Sequence, residues 1–316
     1  MSSRHLIDPE ILPVLDMLPP GPPCANLAEM RAGTHRMVDM LPPPDIADVT
    51  VAERQAPGPS GAPPVRVLIY MPRAATAPMP GYLQIHGGGY VAGLPELDDP
   101  SNRAIAHELG GVVVSVDYRL APENPFPRGI EDCYAALKWL HREAPALGVD
   151  PQRIAVGGES AGGGLAAALA LLARDRGEVP LVYQSLLYPM IDDRTCAAPP
   201  PYGGEFIWTP ADNLFGWTAL LGGPPGGEGV SCYAAAARAE KLEGLPPAFI
   251  ATGALDLFCA ENILYARRLI EAGVPAELHV YPGAFHAFDL ASTARVARAL
   301  KTARLEALRR ALSAMP

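Results

Sequence analysis

The sequence has few cations, few cysteines and no long apolar run. Lys and Arg together number 25 against 34 Asp and Glu, a formal net charge of −9. A chain of that sign repels phosphate backbones, so no nucleic-acid partner is expected. No uncharged apolar stretch reaches the ~18–20 residues that span a bilayer. The longest candidates, such as Ser160–Ala173, are short and glycine-rich, so no membrane partner is expected either. The opening MSSRHLIDPEILPVLDMLPP has acids and prolines where a secretory leader needs an apolar centre, which makes a cytoplasmic location the expectation. The five cysteines (Cys24, Cys133, Cys196, Cys232, Cys259) are scattered and form no C-x-x-C. Neither a zinc site nor a disulfide framework is suggested, and no metal is expected. No repeat of fixed period is visible, and no Gly-X-Y register.

What is present is ample apolar material, with 49% hydrophobic residues, punctuated by 36 Pro and 31 Gly. That composition suits a folded domain with many loops and stiff turns. The first 60 or so residues are Pro-interrupted, with short helical stretches around Pro9–Leu18 and Leu27–Asp39. Ala56–Pro64 reads as a loop between two early strands. Strand-like runs follow at Val65–Tyr70, Tyr82–His86, Val112–Asp117, Arg153–Gly157, Leu181–Tyr188, Ala248–Gly253 and Glu277–Tyr281. Helical patterns lie between or after them at Ile130–Glu143, Ala161–Arg174, Ala260–Ala272 and Thr293–Ala314. Alternation of this kind predicts an α/β fold with a mostly parallel sheet covered on both faces. One connection, 191–244, has no clear strand and carries Phe206, Trp208, Phe215 and Trp217. A long aromatic excursion of this type predicts a lid over a site. The expected organisation is an N-terminal cap segment (1–50), then a catalytic domain (51–316) with a cap insertion at about 191–244.

Gly158-Glu159-Ser160-Ala161-Gly162 is a G-x-S-x-G between a predicted strand and a small-residue helix. In that context it predicts a nucleophile elbow, a sharp turn that lifts a serine hydroxyl above the sheet. The motif recurs by chance in glycine-rich chains, so it needs company. His86-Gly87-Gly88-Gly89 supplies it, directly after another predicted strand. Acyl transfer generates an oxyanion, and amides of a glycine loop can turn towards it unobstructed. A phosphate cradle would bring a Lys, and here Tyr90-Val91-Ala92-Gly93 follows.

A base and an acid must follow the serine in chain order. Of His279 and His286, the first sits inside a predicted strand. The second lies in the loop beyond it, at the sheet edge where α/β sites gather. His286 is therefore the expected base. Asp256, after the strand Ala248–Gly253, is the expected acid. Asp192 and Asp193 are the alternatives, and Asp289 is too close in sequence to His286 to act from a second strand. His86 precedes the serine and is expected to pin the glycine loop.

These blocks, together with Val116-Asp117-Tyr118-Arg119-Leu120-Ala121-Pro122-Glu123 and Phe126-Pro127, resemble the hormone-sensitive-lipase-like (bacterial family IV) esterases of the α/β-hydrolase superfamily. The resemblance covers roughly 65–312. It implies an α/β-hydrolase fold with a mostly parallel eight-stranded sheet, flanking helices and a helical cap. The implied activity is that of a serine carboxylesterase without a cofactor. It carries Ser160, Asp256 and His286 over as the triad, and the amides of Gly88, Gly89 and Ala161 as the oxyanion hole. The family's acid block, Asp-Pro-Leu-x-Asp-Glu, appears as Asp256-Leu257-Phe258-Cys259-Ala260-Glu261, which lacks the Pro and the second Asp. Glu159 stands where the larger subgroup has Asp and is read as a supporting carboxylate. Tyr90, Tyr188, Phe206, Trp208 and Trp217 are the expected pocket residues. The expected partner is a small ester of short or medium acyl chain, and a homodimer is considered for the chain itself. The alternatives are a hydrolase of another acyl class (amide, lactone or acetylated natural product) and a non-catalytic small-molecule-binding relative.

Overall fold

The computed structural model describes residues 2–17, 26–41, 46–74, 76 and 78–313. Leu18, Cys24 and Ala314 lie outside these. Eight strands form one sheet: β1 (Val49–Ala56), β2 (Val65–Pro72), β3 (Met79–Ile85), β4 (Val112–Asp117), β5 (Val149–Glu159), β6 (Tyr183–Leu187), β7 (Ala248–Gly253) and β8 (Ala276–Tyr281). Their order is β1-β2-β4-β3-β5-β6-β7-β8, and only the β1–β2 and β2–β4 pairs are antiparallel. The expected mostly parallel eight-stranded sheet is the one found. The central strands are buried on both faces, which is why they read as continuous apolar runs rather than alternating ones.

Eight α-helices accompany the sheet among the described residues: α1 (Leu12–Met17), α2 (Leu27–Asp39), α3 (Asp99–Leu109), α4 (Arg128–Leu147), α5 (Ala161–Arg176), α6 (Pro210–Leu221), α7 (Cys259–Glu271) and α8 (Arg295–Leu312). Two of these were not anticipated. α3 buries little beyond Ala104, Ile105 and Ala106, too short a stripe to show periodicity. α6 lies inside the 191–244 connection and opens on a capping box, with Thr209 accepting from the Asp212 amide and Asp212 accepting in return. That Thr-Pro-Ala-Asp start was the available signal. Among the described residues, no helix is long and apolar enough to cross a membrane.

α5 packs close against the strand ends, and glycines on both sides of the turn permit it. A Cβ on Gly162 would sit 2.0 Å from the Ile85 carbonyl oxygen, and one on Gly158 2.4 Å from the same atom. This approach brings the helix N-terminus to the edge of the sheet where β3, β5, β7 and β8 end. All the loops with chemical side chains leave from that edge.

Candidate active site

Ser160 sits between β5 and α5 with φ 54° and ψ −121°, a conformation that L-residues seldom adopt. The strain is held by ladder contacts: its amide donates to the Leu187 carbonyl, and its carbonyl accepts from Gly164 and Met190. The turn aims the hydroxyl at His286, from the loop after β8, at 2.9 Å from Nε2. His286 Nδ1 in turn lies 2.8 Å from Asp256 Oδ2, in the loop after β7. The other Asp256 oxygen accepts from the Phe258 amide at 2.9 Å. The His286 ring is clamped edgewise by Tyr188 and Phe258, with centroids at 4.9 and 5.3 Å. All three groups are shielded from water, with Ser160 7%, His286 4% and Asp256 0% exposed. Three residues far apart in the chain thus form one hydrogen-bonded line.

The alternatives are engaged elsewhere. His279 bonds Glu277 beside it on β8. Asp192 pairs with Arg194, and Asp193 with Arg238 and the Gly226 amide. Asp289 accepts from the Tyr188 hydroxyl at 2.8 Å, so it supports a neighbour of His286 rather than its ring.

The glycine loop leaves β3 beside the elbow. Among the described residues, the amides of Gly88, Gly89 and Ala161 donate to no protein acceptor, and Ala161 opens α5, whose dipole is positive at that end. His86 lies inward, stacked on Tyr118 at 4.4 Å, and donates from Nδ1 to the Gly87 carbonyl at 2.8 Å. Burial lowers its pKa, which favours the neutral ring in this contact.

The expected pocket residues fall into two layers. Trp208 lies directly over the glycine loop: a Cβ on Gly89 would be 2.0 Å from its ring. Its indole N–H donates to Asn213 on α6 at 3.4 Å. Tyr188 touches His286, and Phe206 packs at 6.1 Å on Phe285, the residue before His286. Tyr90 and Trp217 lie further back, fully buried against each other at 5.3 Å, with the Tyr90 hydroxyl donating to the Met190 carbonyl.

Two buried ionisable residues lie behind this edge. Glu261 on α7 accepts from the Ile191 and Asp192 amides and from the Thr195 hydroxyl, and burial pushes its carboxyl well above the usual range. Arg304 on α8, which sequence reasoning missed, pairs with Glu159 at 2.9 Å. Its signal was present: Leu300, Arg304 and Leu308 stand four apart on one helix face, so a cation interrupts a buried stripe. Among the described residues, no group of three or more His, Cys, Asp or Glu is placed to hold a metal ion.

Comparison with known proteins extends this picture over the whole chain. A family profile for the α/β hydrolase fold matches residues 82–290. The chain is 37% identical over 320 residues to carboxylesterase NlhH of Mycobacterium tuberculosis, covering 99% of this chain and 98% of that one. It is also 37% identical over 287 residues to esterase LipI of the same organism, covering 87% of this chain and 86% of LipI. Among solved structures, a bacterial heroin esterase superposes with a TM-score of 0.92 at 41% identity, over 99% of this chain and 100% of the other.

Proposed function

The chain belongs to the α/β-hydrolase family, in its hormone-sensitive-lipase-like branch, and from that membership we infer a serine carboxylesterase with Ser160 as nucleophile and small esters as substrates. The observation that carries this reading is the unbroken line Ser160–His286–Asp256, with bonds of 2.9 and 2.8 Å. His286 donates from Nδ1 to Asp256, which leaves Nε2 free to accept the serine proton. Ser160 Oγ attacks the ester carbonyl as that proton moves. Asp256 holds the imidazole in this tautomer and stabilises its charged form. The unpartnered amides of Gly88, Gly89 and Ala161 receive the oxyanion, already oriented before the reaction begins. The protonated His286 then gives its proton to the departing alcohol. Water, activated by the same nitrogen, releases the acid from the serine.

The reading includes a preference for short and medium acyl chains. Each added methylene gains ~0.8 kcal/mol only while it finds an apolar wall. Trp208 lies over Gly89 of the oxyanion loop and Phe206 packs on Phe285 beside His286, so on this reading a long chain soon meets these rings. The test is a fluorophosphonate probe with wild type and Ser160→Ala, followed by kcat/KM across p-nitrophenyl esters from acetate to palmitate. Expected are labelling of wild type alone and a maximum at short chains. An unlabelled wild type, or an active Ser160→Ala, defeats the nucleophile assignment. A maximum at palmitate defeats the chain-length assignment.

A further inference from the structure

Arg304 belongs to the C-terminal helix, yet its guanidinium is buried beneath the serine turn, 5% exposed. It pairs with Glu159 Oε1 at 2.9 Å and donates to the Tyr82 hydroxyl at 3.0 Å, to Gln84 Oε1 at 3.3 Å and to Ser185 Oγ at 3.3 Å. Gln84 Nε2 completes the set, donating to the other Glu159 oxygen and to Asp98 Oδ2. These partners are not scattered. Glu159 immediately precedes Ser160, and Gln84 stands two residues before the glycine loop. Gln84 and Ser185 flank Gly157 from the two neighbouring strands. One planar, forked cation therefore ties together β3, β5 and β6.

Stability alone is a poor reason to keep such an arrangement. The desolvation of a buried ion pair offsets much of its attraction, and apolar replacements often do as well. Geometry is a better reason. The backbone at Ser160 persists only where its surroundings over-determine it. The glycine loop must stand at a fixed distance from that hydroxyl to meet the oxyanion. Burial pushes the Glu159 and Asp98 carboxyls up, and Arg304 is the cation that opposes this at both. We propose that Arg304 is a positioning residue for the esterase reaction: through Glu159 and Gln84 it fixes the spacing between the Ser160 turn and the oxyanion loop. This rests on Ser160 being the nucleophile.

The test uses two variants of the full chain. Arg304→Lys keeps the buried charge but replaces the fork with a single ammonium that cannot serve Glu159, Gln84 and Tyr82 together. Arg304→Met/Glu159→Gln removes the ion pair as a unit, leaving Asp98 with its bond from Gln84. For each, the p-nitrophenyl acetate burst, KM, the rate of fluorophosphonate labelling and Tm are measured, with assays well below every Tm. Acylation and labelling should slow by ~10–100-fold with KM within about twofold, the signature of misplaced reacting groups. Folded variants that acylate at the wild-type rate with only Tm lowered would overturn the proposal, as would loss of folding in both, which would assign Arg304 to stability alone. A wild type that fails to label would instead overturn the nucleophile assignment, so the two failures are distinct.

Discussion

Two parts of the molecule meet at Ser160 and are held by different means. Below is the sheet edge, where Ser160, Asp256 and His286 leave from parallel strands and are backed by buried polar groups such as Glu261 and Arg304. Above it lie the elements we propose as a roof, the N-terminal residues and the 191–244 stretch. Some of its ties are exposed to water. Arg31 on α2 reaches the Val91 and Ala121 carbonyls and pairs with exposed Glu123. The Ser2 and Ser3 hydroxyls and the Ser3 amide donate to Glu205. Exposed ion pairs of this kind contribute ~0–1 kcal/mol each. The sheet edge thus holds the reacting groups through buried bonds, whereas these outer ties of the proposed roof are partly exposed. Substitutions below should act on kcat, and substitutions above on which ester is preferred.

The largest expected effect lies below. Asp256→Asn presents the wrong tautomer to Ser160 and should lower kcat by ~10⁴-fold, and His286→Ala at least as much. His279→Ala, confined to a bond with Glu277, should stay near wild type in the same steady-state assay. A dead His279→Ala would move the base to the strand.

The next effect lies where the two parts touch. Gly89→Ala puts a Cβ 2.0 Å from the Trp208 ring on a backbone at φ 61°. It should cost about 10²-fold in kcat by displacing an oxyanion donor. Trp208→Ala in the same chain should restore part of that loss, because it removes the clash but not the strained φ. Strictly multiplicative losses would show that roof and loop do not communicate.

Trp208→Ala alone should act on selectivity. Relative kcat/KM for hexanoate and octanoate esters over acetate should rise by roughly tenfold, as vacated space accepts further methylenes at ~0.8 kcal/mol each. An unchanged chain-length profile would place the limiting wall elsewhere.

The smallest effect concerns Glu123. Arg31 beside it holds its carboxyl down to about 2, from an ordinary 4.5. A depressed carboxyl stabilises the fold above the unfolded pKa and loses that contribution as pH falls through the folded one. Wild type should therefore exceed Glu123→Gln in stability by less than ~1 kcal/mol near neutrality, since the pair is exposed. The two Tm curves should converge between pH 4.5 and about 2. Parallel curves would show that the pair contributes nothing.

The same division governs what could be read from the residues. The sheet announced itself, because buried parallel strands are written as Val, Ile and Leu runs and the reactive loops follow them at fixed places. β4 and β7 have the expected bounds, Val112–Asp117 and Ala248–Gly253. The contact of Ser160 with His286, and of His286 with Asp256, was legible for the same reason: chain order and strand ends restrict the choices to a few. The roof was legible only as a region. Its helix α6 is apolar over most of its length, and Trp208 is fixed by Asn213 through a contact that no periodicity encodes. Arg304 escaped because its meaning depends on Glu159, far away in sequence and adjacent only once α8 has packed.

That last contact bears on how the protein is made. All three groups of the hydrogen-bonded line, and every glycine of the loop, are synthesised before α8 begins. A nascent chain that has just released His286 therefore already contains the complete set of reacting side chains. It lacks the guanidinium that joins β3, β5 and β6 from below. Competence should arrive with α8 rather than with His286, so a chain truncated after Phe288 would hold every reacting group and still hydrolyse little.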